Sequence, residues 1–354
     1  MCFVRQDDRQ QSEAGLPVAK PCLPVNVHRS DPVSFLLRKI LALALVPVLL
    51  CGASSAVCAA EASITVDAKT GYILEKNQAD KKRQIGSLTK IATAMVVLDW
   101  SAKQGRDLAQ VAVIPPEALV DTAANPIGFQ PGDMITLRDL LYAALVQSDN
   151  VAAFTLADYV GRALQRELPP TDETARGTAV DYFVRQMNAL AAHLGMARTR
   201  FLNPSGIDSR EKPYSTAADV ARLTRYAMNN AGFRFYVSQK EREIEFGRGA
   251  QRLRYLLRNT NELLGQDNID GVKTGSTARA GDCLVLSAAR PSEVVQQGDT
   301  TYITPRRLII VLLASPNRFP EGAAALSRGW SLYDRWAAAG RPIDVKEVLG
   351  GPSQ

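Results

Sequence analysis

The stretch NIDGVKTGSTARAGDCLVLSAARP, residues 268–291, holds two extended runs, 268–277 and 281–291, separated by a short turn. Their β-branched and apolar residues, punctuated by Gly and Pro, mark both as strands. A third strand, RRLIIVLLAS (306–315), follows a polar segment, 291–306, long enough to form an extended hairpin tip. After it, GAAALSRGWSLYDRWAAAG (322–340) places Leu326, Trp330, Tyr333 and Trp336 at helical spacing. Working back to the start, SITVDAKTGYILEKN (63–77) reads as a hairpin turning at Lys69-Thr70-Gly71. Between Arg106 and about Gln239 the pattern is mostly helical, broken by the loops NPIGFQPGD (125–133) and RELPPTDETARG (166–177). TLRDLLYAALVQ (136–147) and NVAAFTLADYVGRAL (150–164) are helices split by Ser-Asp, and STAADVARLTRYAMNN (215–230) opens on a Ser/Thr cap. This order, hairpin, helix block, three strands, helix, predicts an α+β fold. An antiparallel sheet is covered by its first and last helices, and a helical lobe, about 105–240, is inserted into one connection. A groove between two such lobes is where a site is expected.

The chain has 354 residues, 46% hydrophobic and 22% charged, which suits one large globular unit or two lobes and excludes a disordered chain. Ahead of the first hairpin, SFLLRKILALALVPVLLCGASSAVCAAEAS (34–63) sets Arg38 and Lys39 before an apolar run that ends in small residues. That layout predicts an export signal within residues 1–60, cleaved near Ala60, with an uncleaved membrane anchor as the alternative. Neither Cys51 nor Cys58 follows a small residue, which reads against a lipidated cysteine. The folded unit is then expected over 61–345, with a short tail at 346–354. Setting aside the first 60 residues reduces the formal charge from +6 to +4. With no basic block or aromatic-interleaved stripe, nucleic acid is not implied. Weak attraction to an anionic envelope polymer is.

Past Ala60 the sequence contains one cysteine, Cys283, and one histidine, His193. An internal disulfide and a His-rich metal site are thereby excluded, and one thiol suits an exported bacterial protein. A Ser-His-Asp triad would have to use His193. That residue sits in DYFVRQMNALAAHLGM (181–196), a helix whose buried stripe is Phe183, Met187, Leu190 and Leu194. If the chain is a serine enzyme, its base is not an imidazole.

Three short motifs lie in order: Ser87-Leu88-Thr89-Lys90, Ser148-Asp149-Asn150 and Lys273-Thr274-Gly275. Each alone has an ordinary structural reading. Serine and lysine three apart share a helix face in many proteins. Ser-Asp-Asn between two helices is an N-cap. Lys-Thr-Gly occurs twice here, once in the first hairpin's turn, where glycine supplies a positive φ. In conjunction, with gaps of 61 and 125 residues, they form the signature of class A β-lactamases and penicillin-binding proteins. DGVKTGSTARAGDCLVLSA (270–288), MNALAAHLGMARTRFLNPSGID (187–208) and YSTAADVARLTRYAM (214–228) resemble segments of the low-molecular-mass penicillin-binding proteins, the serine D-alanyl-D-alanine carboxypeptidases and endopeptidases. The resemblance runs from about Ala62 to Gly340. It implies a β-lactamase/transpeptidase-like fold with a five-stranded antiparallel sheet, flanking helices and an all-helical lobe.

It also implies roles. Serine is a weak nucleophile until a base takes its proton, and a lysine can do so only when neutral. Burial of Lys90, with the Lys273 ammonium nearby, would depress its pKa. Ser148 could pass the proton to a leaving amine, and Asn150 could hold Lys90 or bind the substrate amide. Lys273 and Thr274 would face a terminal carboxylate, with Arg318 as a further partner. Gly275 would leave room for substrate along the strand edge. The backbone N–H groups of Ser87 and Ser276 would hold the oxyanion. No metal or cofactor is called for. The implied partners are peptidoglycan pentapeptides or cross-linked muropeptides, with β-lactams as inhibitors, in the periplasm or cell wall. Membrane association is expected only through the N-terminal segment.

Two departures bear on the detail. The chain ends about 15 residues after its last core helix, so the C-terminal β-rich domain common among the family's carboxypeptidases is not expected. Carboxypeptidase is the first expectation and endopeptidase the alternative, ahead of a β-lactamase or an inactive penicillin-recognising module. Against a β-lactamase, none of Glu167, Glu173, Glu211 and Glu262 has asparagine four residues later.

Overall fold

A computed structural model describes residues 59–120, 124–166 and 177–350. Nearly all of the expected export segment, Glu167, Glu173 and the last four residues lie outside them. In chain order the elements are β1 (Ala62–Asp67), β2 (Ile73–Asn77), α1 (Lys90–Gln104), β3 (Val111–Val113), β4 (Met134–Thr136), α2 (Leu137–Val146), α3 (Asn150–Arg166) and α4 (Ala179–His193). They continue with α5 (Ala217–Asn229), α6 (Ala231–Val237), β5 (Glu241–Arg248), β6 (Gln251–Arg258), β7 (Ile269–Thr277), β8 (Gly281–Gln297), β9 (Thr300–Leu313) and α7 (Arg318–Ala338).

Five strands form one antiparallel sheet in the order β2-β1-β9-β8-β7, leaving β7 on an edge. The middle strands are nearly continuous apolar runs because both of their faces are covered. Leu284, Leu286, Ala288, Leu308, Ile310 and Leu312 face α7 and meet Leu326, Trp330, Tyr333 and Trp336. Val285, Ile309, Val311 and Leu313 alternate with them and face the helices. Pairing of Leu284 with Leu312 and Leu286 with Ile310 keeps each apolar set on its own face. Beyond the sheet, β8 and β9 stay paired out to Gln297 and Thr300, so segment 291–306 is the tip of a long hairpin.

The first helix does not cover the sheet. α5 packs on β1 and β9 and α6 on β7, while α1 runs among α2 to α6. The reason lies in its composition: Ile91 through Leu98 are buried without a break, so α1 has no polar side to turn outward. By contrast α5 is amphipathic and begins at Thr216, whose side chain accepts from Asp219 N.

The lobe read as all-helical also carries β3 and β4, which join β5 and β6 in a second, four-stranded sheet. The β5–β6 hairpin was not expected, because half of its residues are charged. Those charges face one another across the ladder: Arg258 pairs with Glu241 at 3.3 Å and Arg252 with Glu245 at 2.8 Å. No helix among the described residues is long and apolar enough to cross a membrane.

Candidate active site

GSLTK (86–90) forms a single 3-10 turn, Gly86–Thr89, before α1 begins at Lys90. Ser87 therefore precedes the α-helix rather than opening it, and the tighter turn packs against β7. The contact is close. A Cβ on Gly275 would lie 2.8 Å from Ile85 O and 3.2 Å from Ser87 N, so only glycine fits between the strand and the turn. A Cβ on Gly206 would lie 1.9 Å from Gly86 O, so the loop after α4 presses on the same turn from the other side.

Lys90 is fully buried. Its Nζ lies 2.9 Å from Ser87 Oγ, 2.7 Å from Asn150 Oδ1 and 2.8 Å from Ser205 O. The last two oxygens can only accept hydrogen bonds. A neutral amine has two N–H groups for them, which leaves its lone pair aimed at the Ser87 hydroxyl. Burial is what makes the amine neutral: it lowers the Lys90 pKa to about 7, against the opposing pull of the Asp149 carboxylate. Asp149 is itself buried and raised to about 6 by desolvation. Its Oδ1 accepts from Ala152 N at 2.7 Å, so the capping reading of Ser-Asp-Asn holds for its middle residue. Ser148 has a left-handed backbone, φ 66°, where α2 gives way to α3, and Asn150 follows as the first residue of α3. The strained turn lets Asp149 cap α3 while Asn150 reaches Lys90. No direct hydrogen bond joins the Ser148 side chain to Ser87 or Lys90.

On the strand side, Lys273 is buried and donates to Thr274 O at 3.0 Å. Burial, the Lys90 ammonium and Arg318 together hold its pKa well below the ordinary lysine value. Two ammonium groups sharing this cleft oppose one another, so a neutral Lys90 favours a charged Lys273. Thr274 Oγ1 lies 2.6 Å from Thr260 Oγ1. Arg318, the first residue of α7, donates to Gly275 O at 3.0 Å and pairs with Asp282 at 3.3 Å. Ser276 is exposed on the open part of the strand. A Cβ on Gly86 would lie 3.4 Å from Ser276 N, so the turn carrying Ser87 lies close against the backbone of Ser276. Lys69-Thr70-Gly71, the second copy of the strand motif, is a turn: Gly71 has φ 77° and Asp67 Oδ2 accepts from Thr70 N.

His193 ends α4 on the surface and lines a separate cavity of about 310 Å³ with Asp99, Trp100 and Tyr226. None of the three motifs contributes to that cavity. Sequence reasoning missed Ser205, Asp149 and Thr260. Ser205 offers a backbone carbonyl, which no side-chain pattern reveals. Its only sequence trace is the turn Asn203-Pro204-Ser205-Gly206, where Asn203 Oδ1 accepts from Gly206 N at 2.6 Å.

The sequence profile described as D-alanyl-D-alanine carboxypeptidase, peptidase S11, matches residues 51–166 and 172–296. The chain belongs to this family. Among S11 relatives, the D-alanyl-D-alanine carboxypeptidase DacC of Escherichia coli K12 is 31% identical over 287 residues, 78% of this chain and 62% of the relative. The D-alanyl-D-alanine endopeptidase of the same organism is 29% identical over 297 residues, 82% of this chain and 88% of the relative. The chain thus spans about three fifths of the length of the first relative and most of the second. The solved Streptomyces K15 DD-transpeptidase superposes with a TM-score of 0.64 at 30% identity, covering 77% of this chain and 97% of that one. The β-lactamase/transpeptidase-like fold implied by the S11 resemblance is therefore the fold observed.

Proposed function

We propose that this S11 chain hydrolyses the D-Ala-D-Ala bond of peptidoglycan stem peptides through an acyl-enzyme on Ser87. The observation that carries the reading is Lys90: buried, with a pKa lowered to about 7, and 2.9 Å from the Ser87 hydroxyl. Lys90 takes the Ser87 proton as Oγ attacks the carbonyl carbon between the two D-alanines. The new oxyanion sits between the N–H groups of Ser87 and Ser276. The proton passes through Lys90 and Ser148 to the leaving amine, and D-alanine departs. Water then attacks the ester, and Ser87 recovers its proton. Asn150 holds Lys90 in place. The substrate's terminal carboxylate faces Lys273, Thr274 and Arg318, and its charge favours the protonated form of Lys273.

A β-lactam enters the same cycle and leaves a penicilloyl ester. Glu211 and Glu262 lie on the surface. With no glutamate of the β-lactamase pattern to drive water onto that ester, the adduct persists. The N-terminal segment supports export, so the enzyme acts in the periplasm or cell wall. Cleavage of cross-links is the second reading, favoured by the long alignment with an endopeptidase. Purified pentapeptide and cross-linked muropeptides, digested and read by mass spectrometry, decide between them. Released D-alanine with intact dimers supports the carboxypeptidase; cleaved dimers support the endopeptidase; neither product refutes the proposal.

A further inference from the structure

A cavity of about 420 Å³ opens where the turn of the first hairpin meets α5, α6 and β9. It is separate from the catalytic groove. Leu312 is level with Thr274 through Leu284, and Arg307, on the cavity wall, lies five residues, about 17 Å, before Leu312 along β9. Four of the lining side chains are cationic, Lys69, Arg225, Arg234 and Arg307, and none is a carboxylate. Only Arg307 of these four forms an ion pair, with Asp270 at 2.7 Å. Lys69, Arg225 and Arg234 have no ion-pair partner among the described residues.

Backbone carbonyls rather than acids hold two of the guanidiniums in place. Arg225 donates through Nε to Ala68 O at 3.0 Å and through Nη2 to Lys69 O at 3.2 Å, and Arg234 donates to Met228 O. A guanidinium has five N–H donors, so both keep donors for a further acceptor. Arg307 uses only Nη1 on Asp270 and Ser287. Arg225 is half-buried, and burial lowers its pKa against the opposing pull of Asp67. Asp67 is itself buried and accepts from Thr70 N and Oγ1 within the turn. Arg222, the other charge near Arg225, is paired with Asp219 at 2.7 Å. The cavity thus gathers fixed donors and positive charge without a counter-charge of its own. A carboxylate offers two oxygens in one plane. A phosphate offers three or more around a tetrahedron, which suits donors set around one cavity from a turn, two helices and a strand. Ala68, Met228 and Pro305 add apolar wall for the carbon that carries it. We propose that this cavity binds the phosphate group of a phosphate ester.

The test is calorimetric titration of the full chain with inorganic phosphate, glycerol phosphate and acetate at one ionic strength. Glycerol phosphate should bind at least as tightly as inorganic phosphate, and acetate about tenfold more weakly than either. Lys69→Gln and Arg234→Gln should each weaken glycerol phosphate by about tenfold, the worth of one charge-assisted hydrogen bond. The Lys69 side chain makes no hydrogen bond or ion pair among the described residues, so its loss removes no internal contact of that kind. Penicillin acylation should be unchanged in both variants, and that rate together with circular dichroism establishes that they fold. Vesicles of phosphatidylcholine, with and without phosphatidylglycerol, separate the sources of the ester. Sedimentation with the anionic vesicles that is lost in Arg234→Gln assigns it to a lipid headgroup. Glycerol phosphate binding without such sedimentation assigns it to a soluble or polymeric ester. No phosphate binding, acetate binding as tight as phosphate, or affinity unchanged in both folded variants would overturn the site.

Discussion

Raising the pH from 6 to 8 should speed acylation of Ser87 by about tenfold. The perturbed group is Lys90, whose pKa is lowered to about 7 by burial. A lysine with that pKa is about 9% neutral at pH 6, half neutral at pH 7 and about 91% neutral at pH 8. Only the neutral amine can take the Ser87 proton, so the rate follows this fraction and levels off above pH 8. A lysine left near its ordinary value of 10.5 would instead give a rate climbing tenfold per unit through pH 9, with no plateau. The assay is stopped-flow acylation by a fluorescent penicillin across the range. Lys90→Arg, which cannot deprotonate, should lose about 10²–10⁴-fold and flatten the profile. Lys90→Met, without the bulk of guanidinium, should lose as much, and circular dichroism of both confirms the fold. A rate still rising tenfold per unit above pH 8, or near-normal acylation by folded Lys90→Met, would refute the reasoning.

Asp149→Asn keeps an acceptor for Ala152 N but removes the carboxylate that favours the Lys90 ammonium, so the midpoint of the same pH profile should move below that of the unaltered enzyme. A midpoint that rises or stays would show that Asp149 does not act through charge. Gly275→Ala puts a methyl 2.8 Å from Ile85 O, and should cost about 1–3 kcal/mol in urea unfolding by overpacking. Its acylation rate should fall by about 10²-fold as the nucleophile's turn is displaced; unchanged kinetics would show that the strand can yield. Arg318→Gln should raise KM for peptides ending in a free carboxylate and spare their amides. An equal effect on both would confine Arg318 to holding Gly275 O and Asp282.

Much of this architecture is written locally. The apolar runs of β8 and β9, the aromatic stripe of α7 and the Thr216 cap each need only a few neighbouring residues to be read. The three motifs were legible because their chemistry needs side chains at fixed spacing, and the structure brings Ser87, Lys90 and Asn150 into direct contact while Lys273, Thr274 and Gly275 line the facing strand. What escaped was set by tertiary context. α1 turned away from the sheet because it is apolar on every side, which sequence periodicity cannot assign to a partner. β5 and β6 were hidden by charges that find opposite charges only once the strands pair. Ser205 contributes through its backbone, and Asp149 through burial that the sequence does not encode at that position. The spacing of Ser87 and Lys90 suited one helix face, but Ser87 lies in a 3-10 turn ahead of α1, packed against β7 and the Gly206 loop, and that packing is not written in the spacing.

The most direct test of the account is the site and lifetime of the penicillin adduct. Trypsin cuts after Arg83 and Lys90, so residues 84–90 form one peptide in which Ser87 is the expected point of attachment. Tandem mass spectrometry after a brief exposure should place the added mass on Ser87 alone. Samples taken after free drug is removed should retain it for minutes, and Ser87→Ala should carry none. An adduct of full strength on Ser87→Ala, attachment at any other residue, or loss within a second with steady turnover of the drug would contradict the account.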